Sequence, residues 1–319
     1  MKLIYNKVFL EHDTGMHPEN AKRLSSIVNF GKIKESKIQS GEKYLNLIHK
    51  DFYIEQVKKT RNKEGYLDPD TFACKKSYNA AVYAVGATIL ASQTGDFALV
   101  RPQGHHAHKD RPSGFCIFNN LAISVQKFVN QGKRVLIFDF DGHLGDGTES
   151  IFYETDKVLY FSTHQYPAFP GKGWVDEIGQ GKGKGYTINV PLPEETGDDL
   201  YFDSIKRIMP ILKKFNPDIT AISAGFDAYH GDLLLDLKLS YNAYYKIGKL
   251  LKENFNNTYA TFEGGYNIDA LPYCVFNFLD GINGKKQKYK DKDTTSSSEV
   301  KKEYEKRMKE LNNNLKKYW

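Results

Sequence analysis

Val135-Leu-Ile-Phe-Asp139-Phe-Asp141-Gly-His143 joins an apolar run to a cluster of polar groups. Val135–Phe138 is apolar at every position, as expected of a strand covered on both faces of a sheet. Alternate side chains of an extended backbone point the same way, so Asp139, Asp141 and His143 share one side. Charged groups at the place where a buried strand leaves the core need a compensating partner, and a divalent metal ion supplies one. Read alone, the segment is equally a turn after a strand, because such turns are rich in Asp and Gly.

The surrounding sequence alternates apolar runs with amphipathic stretches. Strands are expected at Phe97–Val100, Val135–Phe140, Val158–Thr163, Tyr186–Val190, Ile219–Ala224 and Tyr259–Phe262. Helices are expected at Ser77–Ser92, Asn119–Asn130, Leu200–Phe215 and Ser240–Phe255. This alternation predicts an α/β fold with a mostly parallel central sheet between two helical layers. Ligands of open α/β sheets bind beyond the carboxyl ends of the strands, so the residues just after each strand matter most. They include His105, His106 and His108 after the first run; Asp141, His143 and Asp146 after the second; Gly225-Phe-Asp227; and Glu263-Gly-Gly-Tyr266-Asn267. Four strand ends thus bring histidines, carboxylates and a tyrosine to one edge. A metal site explains that coincidence better than four unrelated solvated loops.

Composition sets the outer bounds. A chain of 319 residues, 40% hydrophobic and 13% aromatic, can bury a large core in one domain. Neither a membrane-spanning run nor the apolar region of a signal peptide is evident, so a cytoplasmic protein is expected. Cys74, Cys116 and Cys274 have no spacing suited to a disulfide framework or a thiolate zinc site. Residues 285–319 hold 12 Lys/Arg and 6 Asp/Glu, which accounts for the whole net charge of +6. The body, residues 1–284, is balanced and gives no reason to expect nucleic-acid binding. The tail reads as a polar linker that resists packing, followed by a helix opened by a capping box at Ser296 and Glu299. Val300, Tyr304, Met308, Leu311, Leu315 and Trp319 form one helical stripe, suited to the chain's own body or to a second subunit. Its basic charge also suits an acidic partner.

The motifs RPQGHHAH (101–108), GFCIFNN (114–120), DFDGHLGDGT (139–148), FPGKG (169–173), SAGFDA (223–228) and EGGYN (263–267), with HPENAKRL (17–24), resemble one family. It comprises zinc-dependent histone deacetylases, acetylpolyamine amidohydrolases and acetoin-utilisation proteins, of the arginase–deacetylase fold. The resemblance runs from about residue 10 to residue 283. It implies metal-dependent hydrolysis of an N-acetyl amide, with zinc, or else iron(II), held by Asp141, His143 and Asp227. It makes His106 the general base and later acid, with His105 acting through charge and orientation. Asp139 and Asp146 would hold the two rings. Tyr266 would donate to the oxyanion. Gly114, Phe115 and Phe169 would line a narrow tunnel whose rim includes Leu234. Ser162 and Thr163, with Asp139, Asp141 and His143, would surround a monovalent cation, potassium or else sodium.

Acetyl-lysine is the expected substrate, with acetylpolyamines and other small acetylated amines second. Leu234 stands where polyamine-selective relatives carry an acid, and the rim aspartate is assigned only weakly, to Asp68 or Asp70. Leu144 replaces a usual histidine, Leu233 a common proline, and Gln103 a usual proline, the last expected to loosen the histidine loop. A dinuclear manganese ureohydrolase would need further bridging ligands, and an inactive acyl-lysine binding module would not need Tyr266. His12, His49, His108 and His230 read as structural or surface residues, and Gly179–Gly185 as a mobile loop. The terminal helix leaves homo-oligomerisation to be tested.

Overall fold

The computed structural model describes residues 1–319. In chain order its strands are β1 (Leu3–Ile4), β2 (Gly65–Tyr66), β3 (Phe72–Ala73), β4 (Phe97–Ala98), β5 (Val135–Asp139), β6 (Val158–Gln165), β7 (Thr187–Leu192), β8 (Ile219–Ala224) and β9 (Thr258–Phe262). Its α-helices are α1 (Ala21–Gly31), α2 (Asp51–Lys58), α3 (Ser77–Thr94), α4 (Asn120–Val129), α5 (Asp146–Phe152), α6 (Asp198–Phe215), α7 (Tyr241–Asn254), α8 (Leu271–Ile282) and α9 (Ser298–Leu315).

Seven strands form one sheet in the order β1-β4-β9-β8-β5-β6-β7, with every pairing parallel. Every residue of β5 and β6 is buried, including the polar ends Asp139 and Ser162–Gln165 that follow their apolar runs. The sheet lies between α1, α7 and α8, which pack together, and α3, α4 and α5. This is the three-layer architecture expected from the alternation of runs. No helix is long and apolar enough to cross a membrane.

The long, periodic elements lie where the sequence placed them, within a few residues at either end. The first strand ends early, at Ala98, although the Leu99 N–H still donates to Ile4 O at 2.9 Å. Strands β1, β2 and β3 and helices α1, α2, α5 and α8 have no counterpart among the expected elements.

The tail departs from expectation in two ways, and the structure chooses between two alternatives for its helix. The 285–297 segment packs rather than resisting packing. Tyr289 lies edge-on to Phe30 and Tyr273, and Asp291 accepts the Tyr241 N–H at 3.0 Å. Ser297, not Ser296, caps α9 by accepting the Val300 N–H, while Ser296 donates to Asp199 at 2.7 Å. The stripe of α9 packs onto the chain's own body, burying Tyr304, Met308, Leu311 and Leu315. A second subunit is therefore not needed to cover it. The Gly179–Gly185 loop is pinned rather than free: Gln180 N–H donates to Tyr153 O, and Trp319 Nε1 donates to Gly185 O at 2.7 Å.

Candidate active site

Each strand of the sheet's middle ends in a residue of the site. β5 runs into Asp139, Asp141 and His143; β8 into Asp227; β9 into Glu263 and Tyr266; and the loop after β4 carries His105 and His106. Ligand atoms of Asp141, His143 and Asp227 all lie within 4.8 Å of one another, and all three residues are buried. His143 Nδ1 is 2.8 Å from Asp227 Oδ2 and 3.4 Å from Asp141 Oδ1. The other oxygens are fixed by backbone donors. Gly264 N–H donates to Asp141 Oδ2 at 2.7 Å, and Gly142 N–H to Asp227 Oδ1 at 2.6 Å. A Cβ at Gly225 or Gly264 would run into these carboxylates, so glycine is required there by space.

The donor set fits a divalent cation. Two buried carboxylates face one imidazole with neither lysine nor arginine paired to them, which leaves negative charge to be neutralised. Burial opposes charge on His143, yet Asp227 and Asp141 push its pKa up to about 10, a measure of how strongly the pocket draws positive charge. Two carboxylates and one imidazole form a three-ligand set of the kind that leaves a catalytic metal open to other ligands. His105, Cys116 and Glu263 also converge, but Glu263 Oε2 already accepts the Gly104 and His105 N–H groups at 2.8 and 3.1 Å.

The two adjacent histidines differ in environment. His106 Nδ1 donates to Asp146 Oδ1 at 2.9 Å, which leaves Nε2 as the basic nitrogen. Burial, with His105 adding, pulls His106 down to about 4, so its ring is neutral at pH 7. His105 stands 3.4 Å from Asp139. Burial opposes its charge, but Asp141, Asp139 and Glu263 outweigh it and hold His105 protonated well above the ordinary range. His108, read as structural, lies in the same network: its Nε2 donates to Asp146 Oδ2 at 2.9 Å. One carboxylate thus holds two imidazoles.

Above these groups opens a cavity of about 230 Å³, lined in part by His106, His143, Tyr266, Phe115 and Phe169. Gly114 completes one wall at φ +50°, where a side chain would be strained and would strike His106 and Phe169. Leu234 and Asp70 also line it. Asp68 does not; it caps its own turn by accepting the Asp70 and Thr71 N–H groups. Leu144 is buried in the core. The Ser162 and Thr163 hydroxyls are engaged by His164 and Tyr201 at 2.9 and 3.1 Å. A cation there would therefore draw on other oxygens of the segment.

Gln103 does the opposite of loosening its loop. It is buried, its Nε2 donates to the Tyr266 hydroxyl at 2.9 Å, and its Oε1 accepts from Arg23 at 2.7 Å. Arg23, whose guanidinium lies 4.5 Å over the Tyr266 ring, is likewise a residue that sequence reading passed over. It lay inside the quoted HPENAKRL motif, though nothing there pointed to Tyr266. Burial raises the Tyr266 hydroxyl well above its usual pKa, so it keeps its proton.

Residues 17–282 match the histone deacetylase domain. A probable deacetylase of Archaeoglobus fulgidus is 34% identical over 310 residues, covering 88% of this chain and 86% of that protein. Histone deacetylase 10, chloroplastic, of Oryza sativa is 34% identical over 307 residues, covering 83% and 69%. Among solved structures, the HDA15 HD domain superposes with TM-score 0.90 at 29% identity, over 100% of this chain and 96% of that one. An acetylpolyamine aminohydrolase from Burkholderia pseudomallei shares the fold, with TM-score 0.83 at 24% identity, over 89% and 98% of the two chains. The matched domain spans nearly all of the sheet and every strand end that carries the site, and the chain belongs to the histone deacetylase family of deacetylases.

Proposed function

We propose that the protein removes the acetyl group from N-acetyl-lysine side chains, using zinc or iron(II) held by Asp141, His143 and Asp227. The observation that carries this reading is the grouping of that ligand set, a neutral His106 and a protonated Tyr266 along one apolar-walled cavity. The bound ion supplies Lewis acidity toward the acetyl carbonyl and makes water more acidic. The chain's own groups do the rest. His106 Nε2 takes a proton from the attacking water and returns it to the leaving amine. His105, held as a cation, steadies the negative charge that develops nearby. The Tyr266 hydroxyl donates to the oxyanion. Phe115, Phe169 and the bare Gly114 suit an alkyl chain such as the lysine methylenes and exclude water. Asp139 and Asp146 orient the rings, and a potassium ion beside Asp139 and the Ser162–Thr163 strand belongs to the same proposal, with sodium as the alternate.

Small acetylated amines are the second reading. Leu234 at the rim offers no charge to a polyamine, but Asp70 in the cavity wall could pair with a distal ammonium. Release of acetate from acetyl-lysine peptides and acetylpolyamines, measured side by side, decides between them. One metal ion per chain is expected on elemental analysis; none or two would overturn the mononuclear proposal. Tyr266→Phe is expected to lower turnover about 10²–10³-fold. His106→Ala is expected to lower it about 10²–10⁴-fold with the metal retained. Full activity in both would overturn the role assignments.

A further inference from the structure

We propose that Gln103 is a positioning residue that fixes the direction of the Tyr266 hydroxyl proton; this rests on the proposed role of Tyr266 as oxyanion donor. The argument is one of donors and acceptors. A carboxamide has a carbonyl end that only accepts and an amino end that only donates. The Arg23 guanidinium only donates, and its Nη1 lies 2.7 Å from one end of the Gln103 amide, so that end is the carbonyl. The other end must then be NH₂. It lies 2.9 Å from the Tyr266 oxygen, so the hydroxyl accepts there. The single phenolic proton is thereby turned away from Gln103 and left for the cavity that Tyr266 lines.

The amide cannot flip without opposing its NH₂ to a guanidinium, and the guanidinium is itself immobilised. Arg23 Nε donates to Gly265 O and Nη2 to Glu263 O, each at 2.6 Å. Its Nη1 also donates to Glu19 at 3.2 Å. Glu19 is gripped by Arg101 through Nε at 2.5 Å and Nη2 at 2.8 Å. All five of these side chains are buried. A buried ion-pair cluster therefore sets one hydroxyl rotor, which is the preorganisation that an oxyanion donor needs. Donation from Gln103 also polarises the O–H bond, making it a better donor.

The test compares Q103M and Q103E with Y266F. Methionine keeps the bulk and removes the donor. Turnover should fall about tenfold, the rate equivalent of one neutral hydrogen bond, with KM unchanged within about twofold. The Q103E carboxylate can accept from both Arg23 and the tyrosine, pulling the proton off the reacting atoms. Its loss should approach that of Y266F, about a hundredfold or more. A mere packing role predicts no such ordering.

A second measurement needs no turnover. The Kd of an acetyl-lysine analogue bearing a hydrated trifluoromethyl ketone, a tetrahedral mimic, should weaken in Q103M and Q103E. In a Y266F background the same changes should weaken it no further. Wild-type turnover in both Gln103 variants, or weakening undiminished in the Y266F background, overturns the proposal. Full activity in Y266F removes the tyrosine's role as well, so the two failures are distinguishable.

Discussion

His105 and His106 are neighbours in the chain with rings 4.0 Å apart, yet one is held as a cation and the other as a neutral base. Their carboxylate partners divide them: Asp139, Asp141 and Glu263 surround His105, whereas the Asp146 charge is shared between His106 and His108. A residue-scale prediction follows beside this network. Burial pushes the Glu149 carboxyl from 4.5 up to about 8, and Asn189 donates to it at 2.6 Å. The folded protein therefore keeps a proton that the unfolded chain releases between those values, so this group lowers stability as pH rises from 4.5 to 8. Glu149→Gln stays neutral throughout. Its unfolding free energy, read from denaturant titrations, should exceed the parent's by a margin that grows toward pH 8, on the order of a few kcal/mol. A margin that shrinks with rising pH would refute it. At this scale the sequence was partly legible. Asp141, His143 and Asp227 stood among the strand-end residues because they follow apolar runs, and the family resemblance singled them out as a set. Gln103 could not, since its partners Arg23 and Tyr266 are 80 and 163 residues away in the chain.

The elements most legible in the sequence are the long strands and amphipathic helices, whose periodicity is strong. The two-residue strands β1 and β4 are set by their neighbours in the sheet, which no local pattern reveals. The turns after β8 and β9 show what such elements provide. Gly264 brings its N–H to Asp141 at 2.7 Å and leaves room for the Asp141 and Asp227 carboxylates. Gly264→Ala should shift those carboxylates while sparing the strand behind them. Metal affinity, measured by chelator competition, is expected to fall about 10–100-fold, with a cooperative thermal transition retained. Parental affinity would remove Asp141 and Asp227 from the ligand set.

For the whole molecule, the last thirty-five residues are structural rather than appended. Tyr304, Met308, Leu311 and Leu315 of α9 are fully buried against the body. At about 1.5–3 kcal/mol each, their burial stabilises the fold by roughly 6–12 kcal/mol. That is comparable with the whole stability of an ordinary domain, about 5–15 kcal/mol. A chain stopped at Gly284 should therefore lose its cooperative melt and elute as aggregate on size exclusion; a parental melting profile would show that α9 is dispensable. The amphipathic stripe could be read from the sequence, but the surface that covers it could not, because both alternatives bury the same face.

The strand order has a consequence in time. β9, the last strand to leave a ribosome, lies between β4 and β8. Until residue 262 has been made, β1 and β4 have no pairing with β8, β5, β6 and β7, and two strand edges stay open. His105 and His106 belong to the first half; Asp141, His143 and Asp227 belong to the second. A nascent chain therefore carries the candidate site in two unjoined parts for most of its synthesis, with strand edges exposed to intermolecular pairing. The step that closes the sheet is also the one that brings the two groups of candidate site residues together, and it comes late in synthesis, before α9 covers the body.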